Sequence, residues 1–154
     1  MSVAFRREGD EEHLEPKFEI PIPPGPNRVT PHGAALIAER IAALEGQIEG
    51  ADETRRTALM RELRYWQTRE ITAELVPAAS GESVDFGTTV TFRLNGKRRT
   101  LGIVGDDEAD PAAGKIAFSA PLARAMIGAE PGDFVEFGGK DDAIEVLAIR
   151  AGTQ

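Results

Sequence analysis

The 154-residue chain reads as an α+β protein, a helical hairpin followed by a small β-rich domain with one short helix. Two changes of pattern predict this. Apolar residues spaced four and three apart run from Ile37 to Trp66, and from Thr89 onward the spacing falls to two. The punctuation agrees: Thr30-Pro31, Gly50-Ala51-Asp52 and Pro77 frame two helices, and Asn95-Gly96 marks a tight hairpin.

Residues 1–29 read as an extended, proline-rich arm. Glu8, Asp10, Glu11, Glu12 and Glu15 make an acidic patch, and Pro16, Pro21, Pro23, Pro24 and Pro26 follow it. Phe18, Ile20 and Ile22 alternate, which allows a short strand-like segment within an otherwise flexible tail.

Residues 30–76 read as the hairpin. Thr30 caps the first helix and Pro31 suits its first turn. Ile37, Ile41, Leu44 and Ile48 form a coiled-coil seam over about 17–19 residues, or ~28 Å. Gly46 and Gly50 weaken the end of this helix, and Asp52 suits the cap of the next. The second helix is expected over Glu53–Val76, with Leu59, Leu63 and Trp66 on the seam, drifting to Ile71 and Leu75 after Glu70. Trp66 reads as a packing residue at the hairpin base. Two amphipathic helices joined by a short turn pair antiparallel.

Residues 77–87 read as a linker and 88–154 as the β-rich domain. Its expected elements are strands at Thr89–Leu94 and Lys97–Val104, an acidic loop at Gly105–Gly114, and a strand at Lys115–Phe118. A helix at Pro121–Ile127 and strands at Phe134–Phe137 and Ala143–Ile149 complete it. Phe86, Phe92, Phe118, Phe134 and Phe137 alternate like core residues.

Composition narrows the function. There is no cysteine, which removes disulfides and thiolate chemistry, and no apolar run of membrane-spanning length. The acidic start differs from a secretion signal, so a cytoplasmic location is expected. The net charge is −8, spread as −2 over residues 1–30, −2 over 31–76 and −4 over 77–154. No segment carries the basic excess of a nucleic-acid binder, so direct, tight nucleic-acid binding is not expected and a basic protein surface or a metal-bearing site is the better electrostatic partner. His13 and His32 lack metal-ligand spacing. No catalytic Ser/His/Asp set, phosphate-binding loop or dinucleotide fingerprint occurs.

Three blocks make the reading specific: Ile103-Val-Gly-Asp-Asp-Glu-Ala-Asp110, Pro121-Leu-Ala-Arg-Ala125 with Ile127-Gly128, and Gly132-Asp133. In that order they resemble the C-terminal domain of the GreA/GreB transcription elongation factors. Val29-Thr-Pro-His-Gly33 and Leu63-Arg-Tyr-Trp66 extend the resemblance into the hairpin, over roughly residues 28–150. The resemblance implies an FKBP-like C-terminal domain docked at the secondary channel of bacterial RNA polymerase and a coiled coil inserted into that channel. It implies a monomeric accessory factor with no catalysis of its own, touching nucleic acid only through the transcription complex.

The cleavage factors of this family carry an acidic tip, Gly-Asp-x-x-Glu-Asn, that helps hold a magnesium ion of the polymerase active site. This chain has no such motif, and each arm is shorter than the family norm by roughly three turns, ~15 Å. Asp52 and Glu53, with Glu49 nearby, lie at the expected tip. They read either as a displaced pair meeting that shared magnesium or as a helix cap and a first-turn acid, partly neutralised by Arg55 and Arg56. The chain itself needs no intrinsic cofactor. Stimulation of RNA cleavage and non-cleaving channel binding, as in the short-hairpin relative Rnk, both stay open. Prolyl isomerase activity is a remote alternative drawn from fold alone.

By the resemblance, the polymerase-docking residues are Asp106, Asp107 and Glu108 in the acidic loop, Ser119, Ala120 and Pro121 in the turn, and Arg124 on the following helix. The loop also reads as a solvated acidic run, and the turn as a helix cap. The family often has an acid and a serine where Ser119 and Ala120 stand.

Overall fold

The computed structural model describes residues 19–77 and 79–153. The acidic patch at residues 8–15, His13, Pro16 and Phe18 lie outside the described residues. The element order is β1 (Arg28–Val29), α1 (Pro31–Glu49), α2 (Glu53–Thr72), β2 (Glu74–Leu75), β3 (Thr88–Leu94) and β4 (Lys97–Val104). A 3-10 turn (Pro111–Ala113), β5 (Lys115–Ala117), α3 (Pro121–Met126), β6 (Phe134–Phe137) and β7 (Lys140–Ala151) follow. The fold class is α+β, two helices and then a mixed sheet. Among the described residues, contacts divide the chain into two units, one holding residues 19–25 and Ile37–Thr72, the other Pro26–Leu36 and the residues from Ala73 on.

In the first unit α1 and α2 bury Leu44, Leu59 and Leu63, with Ile41, Ile48, Ala51 and Trp66 packed around them. All but Ala51, a turn residue by sequence, are expected seam residues, and Trp66 does pack there; Ile37, also expected on the seam, is buried but lies outside this cluster. Ile71 and Leu75 do not continue the stripe; they are 82% and 61% exposed. Arg40 lies over the Trp66 ring at 5.5 Å and shields its outer side. Ahead of the hairpin, Ile20 and Ile22 belong to no strand. Glu19 instead accepts two hydrogen bonds from Arg64, at 2.7 and 3.1 Å. That guanidinium holds the Glu19 carboxyl below its ordinary value. Its contribution is therefore present above the ordinary glutamate pKa and is lost as pH falls through the lowered one.

The second helix is shorter than expected, ending at Thr72 rather than Val76. Ile71 and Thr72 are β-branched, and the residue before Pro77 is biased to extended backbone. The amides of Glu74 and Val76 instead donate to the carbonyls of Asn27 and Val29, at 2.8 and 2.9 Å. β2 thus pairs in parallel with β1, within the second unit.

The main sheet has the order β5-β4-β3-β7-β6, with β4–β5 parallel and the other pairs antiparallel. Asn95 and Gly96 both take positive φ, 49° and 86°, the conformation of the two-residue hairpin that their types favour. One face of the sheet buries Val90, Phe92, Leu101, Ile103, Ile144 and Val146 against Ala123 and Met126 of α3. The segment expected as a plain linker contributes Val84 and Phe86, both buried, and Val84 exchanges backbone bonds with Gly128 and Ala129. Phe134 departs from its expected core role and is 56% exposed.

Two glycines separate close packing from simple helix propensity. A Cβ on Gly105 would overlap the carbonyl oxygen of Arg28, whereas one on Gly46 meets nothing within 4 Å. Gly105→Ala is expected to cost about 1–3 kcal/mol by overpacking. Gly46→Ala, inside α1, is expected to add about 0.5–1 kcal/mol. Urea midpoints moving in opposite directions would check both.

Candidate functional site

The expected docking residues sit in the loop after β4 and the turn before α3. Asp106 and Asp107 are half-buried, Ser119, Pro121 and Arg124 are exposed, and Ala120 lies between. The Ser119 hydroxyl donates to Asp106 Oδ1 at 2.6 Å, which ties the loop to the turn. Ala120 occupies the cap position of α3 with extended backbone and no side-chain cap bond, and Pro121 opens the helix. Arg124 lies one turn further on. With Pro121 and Ala125 it borders a shallow surface depression that Glu136, Phe137 and Gly138 close on the other side. Asp106, Ser119, Pro121 and Arg124 therefore form one accessible strip.

Glu108 is not part of that strip. It is 6% exposed and turned inward. Its Oε1 accepts the Thr30 hydroxyl at 2.6 Å, and its Oε2 lies 3.6 Å from Lys115 Nζ, ion-pair range but beyond a hydrogen bond. Thr30 in turn accepts the Gly33 amide at 3.0 Å, as the expected cap of α1. Gly33 makes room for this contact, since a Cβ there would stand 2.9 Å from Glu108 Oε1. One residue of the acidic loop is thus consumed in holding the first turn of α1. The spacing of acids along the loop does not distinguish it from its neighbours, because which acid turns inward depends on where the helix start lies.

At the hairpin tip, Asp52 Oδ1 accepts the Arg55 amide at 2.8 Å, a helix cap. Arg55 also reaches Gln47 Oε1 and Arg56 reaches the Ala51 carbonyl, both at 3.4 Å. Two guanidiniums bound around the turn repel a divalent ion, and one Asp52 oxygen is already engaged. Glu53 is exposed in the first turn of α2, where an acid favours the helix dipole. The tip residues fit a cap and a first-turn acid. Among the described residues, no group of three or more acids and histidines is arranged to hold a metal.

A cavity of about 370 Å³ in the second unit is lined by Thr30, Pro31, His32, Val76, Gly87, Gly152 and Thr153. His32 is exposed at its edge. No Phe, Tyr or Trp lines it, and Phe86 and Phe92 are buried elsewhere in the unit. Among the described residues no helix is long and apolar enough to cross a membrane.

The Thr30–Glu108 bond is testable through stability. Thr30→Val removes both the cap and the donor to Glu108 and is expected to cost about 1–3 kcal/mol. Glu108→Gln keeps an accepting oxygen and should cost less. The double variant should lose less than the sum of the singles, by about 0.5 kcal/mol or more, in urea denaturation.

Comparison with known proteins matches residues 79–151 to the C-terminal model of transcription elongation factor GreA/GreB. The transcription elongation factor GreA of Agrobacterium fabrum is 43% identical over 77 residues, covering 47% of this chain and 49% of that protein. That of Thioalkalivibrio sulfidiphilus is 45% identical over 75 residues, covering 46% and 48%. The chain thus matches about half the length of these relatives. Among solved structures, Gfh1 of Thermus thermophilus overlays with a TM-score of 0.38 at 17% identity, covering 81% of this chain and 99% of that one. The GreA/GreB factor of Nitrosomonas europaea gives 0.39 at 20%, covering 82% and 99%. The matched residues take in β3 to β7, the acidic loop and the strip beside it, and over them the chain is similar to the C-terminal domain of the GreA/GreB transcription elongation factors.

Proposed function

We propose that this chain is a transcription elongation regulator that binds bacterial RNA polymerase at the secondary channel and presents its hairpin there without supporting RNA cleavage. The carrying observation is the GreA/GreB match over residues 79–151, on a unit whose Asp106–Ser119–Pro121–Arg124 strip is accessible. In this reading the strip meets the polymerase, with Asp107 and Ala120 flanking it, and Glu108 acts from inside by holding the start of α1. The factor works as a monomer in the cytoplasm, has no cofactor of its own and touches nucleic acid in the channel only through the transcription complex.

The tip supports the non-cleaving version. Asp52 is engaged as a cap, the two arginines around it disfavour a second metal, and the cleavage motif of the family is absent. A hairpin of this kind acts by occupying the channel and by competing with other factors for it.

Two measurements test the proposal. Binding of the full chain to core polymerase at low salt is expected, and Arg124→Glu should weaken it about tenfold or more; absence of binding by the unaltered chain would overturn the reading. On backtracked complexes the factor should leave the RNA uncut. Asp52→Asn combined with Glu53→Gln keeps a capping side chain and should change nothing. RNA shortening that the double variant abolishes would restore a catalytic tip.

A further inference from the structure

We propose that the outer groove of α2 is the seat of the chain's own N-terminal arm, with residues 8–18 lying along it as an acidic strap, independent of the polymerase reading. The groove is shallow, about 560 Å³, and is lined by Glu53, Arg56, Thr57, Met60 and Arg64. Arg56, Met60 and Arg64 follow one another four apart, so they stand on one face of the helix. All three are exposed, and Met60 keeps 39% of its surface open while its neighbour Leu59 is buried in the seam.

The chain already enters this groove at Glu19, which accepts two hydrogen bonds from Arg64, at the end of the groove away from the tip. The direction of the arm follows from what comes after. Downstream, the Asn27 carbonyl accepts the amide of Glu74, two residues past the end of α2. Residues after Glu19 thus lead toward the C-terminal end of the helix, which leaves the Met60 and Arg56 side to the residues before it. Eighteen residues precede Glu19. Arg56 lies about 12 Å along α2 from Arg64, a distance covered by roughly four residues of extended chain. That register brings Glu15 level with Arg56 and puts Phe18 between Arg64 and Met60.

Charge and side-chain chemistry agree with the register. Residues 8–18 contain Glu8, Asp10, Glu11, Glu12 and Glu15 against one base, Lys17. From Glu53 to Arg64 the helix contains Arg55, Arg56, Arg61 and Arg64 against Glu53 and Glu62. Glu53 lines the groove at its tip end, so the attractive stretch runs from Arg56 to Arg64. Arg56 meets the Ala51 carbonyl at 3.4 Å and no carboxylate among the described residues. Met60 offers a flexible thioether, to which an aromatic ring such as Phe18 adapts well. Single exposed ion pairs are weak. Glu19, however, tethers the arm, so its remaining contacts form at an effective concentration on the order of mM and need little affinity each. An acidic segment of another molecule offers the same charge without the tether. Docked, the arm cancels the basic excess of α2 and closes the groove to other acidic segments.

The test is NMR relaxation on the full chain. At low salt the backbone order parameters over residues 14–18 are expected above ~0.6, toward the ~0.85 of rigid backbone. The Phe18 ring should show nuclear Overhauser contacts to the Met60 methyl. Arg56→Glu should drop the order parameters below ~0.6, and adding Glu15→Arg should restore them, because the pair is then exchanged in sign. Salt at about 1 M, where screening acts within ~3 Å, should release the arm as well. Arg56 is exposed, and unchanged methyl shifts of Leu59 and Leu63 would verify that the hairpin of the variants remains folded. An arm below ~0.6 in the unaltered chain at low salt, order that survives Arg56→Glu or fails to return with the exchanged pair, or order that grows with protein concentration would each overturn the proposal.

Discussion

The bond between the Thr30 hydroxyl and Glu108 is the contact on which the second unit's assembly turns. It joins positions 78 residues apart in sequence, and both partners are buried. One end caps α1 and the other closes the acidic loop. Three further features depend on it or make it possible. Gly33 leaves room for the carboxylate, Gly105 lets the loop pass against the Arg28 carbonyl, and β1 runs beside β2 immediately before the cap. Arg28 also lies over the Phe118 ring at 5.6 Å, which ties the same strand to the end of β5. A buried carboxylate is tolerable here because the hydroxyl satisfies one oxygen and Lys115 stands near the other. Glu108 is therefore a structural element in a loop whose sequence looks like a solvated acidic run.

The same division of labour recurs across the segments that carry the family resemblance. Gly128 and Gly132 take positive φ, 95° and 96°, at the turns around α3 and before β6. The Asp133 side chain accepts the Glu130 amide at 2.9 Å, and its backbone carbonyl accepts the Val146 amide at the same distance. These residues shape the unit, whereas Asp106, Ser119, Pro121 and Arg124 are what it presents. At the hairpin tip a side chain likewise has a structural task. A short polar turn between two helices needs a cap, and Asp52 supplies it.

Much of this was legible in the sequence. The seam of Ile41, Leu44, Ile48, Leu59 and Leu63, the Thr30 cap and the Asn95-Gly96 hairpin follow from local rules of periodicity and turn chemistry. What escaped was decided by distant partners. Glu74-Leu-Val76 continues a helical pattern, but the amides of Glu74 and Val76 go to the carbonyls of Asn27 and Val29, which no local rule can anticipate. Val84 and Phe86 sit among Ser and Gly residues and read as linker, although the sheet buries both. Phe134 alternates correctly along its strand but faces away from α3, because side-chain alternation assigns a face without saying which face is covered. Asp106 and Glu108 are chemically similar neighbours with opposite orientations, and only the position of the α1 start separates them.

The proposed function requires the chain to engage RNA polymerase through the accessible strip while its helices enter the channel. Photo-crosslinking from two positions of the full chain bound to core polymerase tests this most directly. A crosslinker at Ala125, beside the strip, should capture polymerase residues at the channel rim, and one at Ala51 should capture residues lining the channel interior. Capture from neither position, or capture of the rim by Ala51 with none from Ala125, would contradict it.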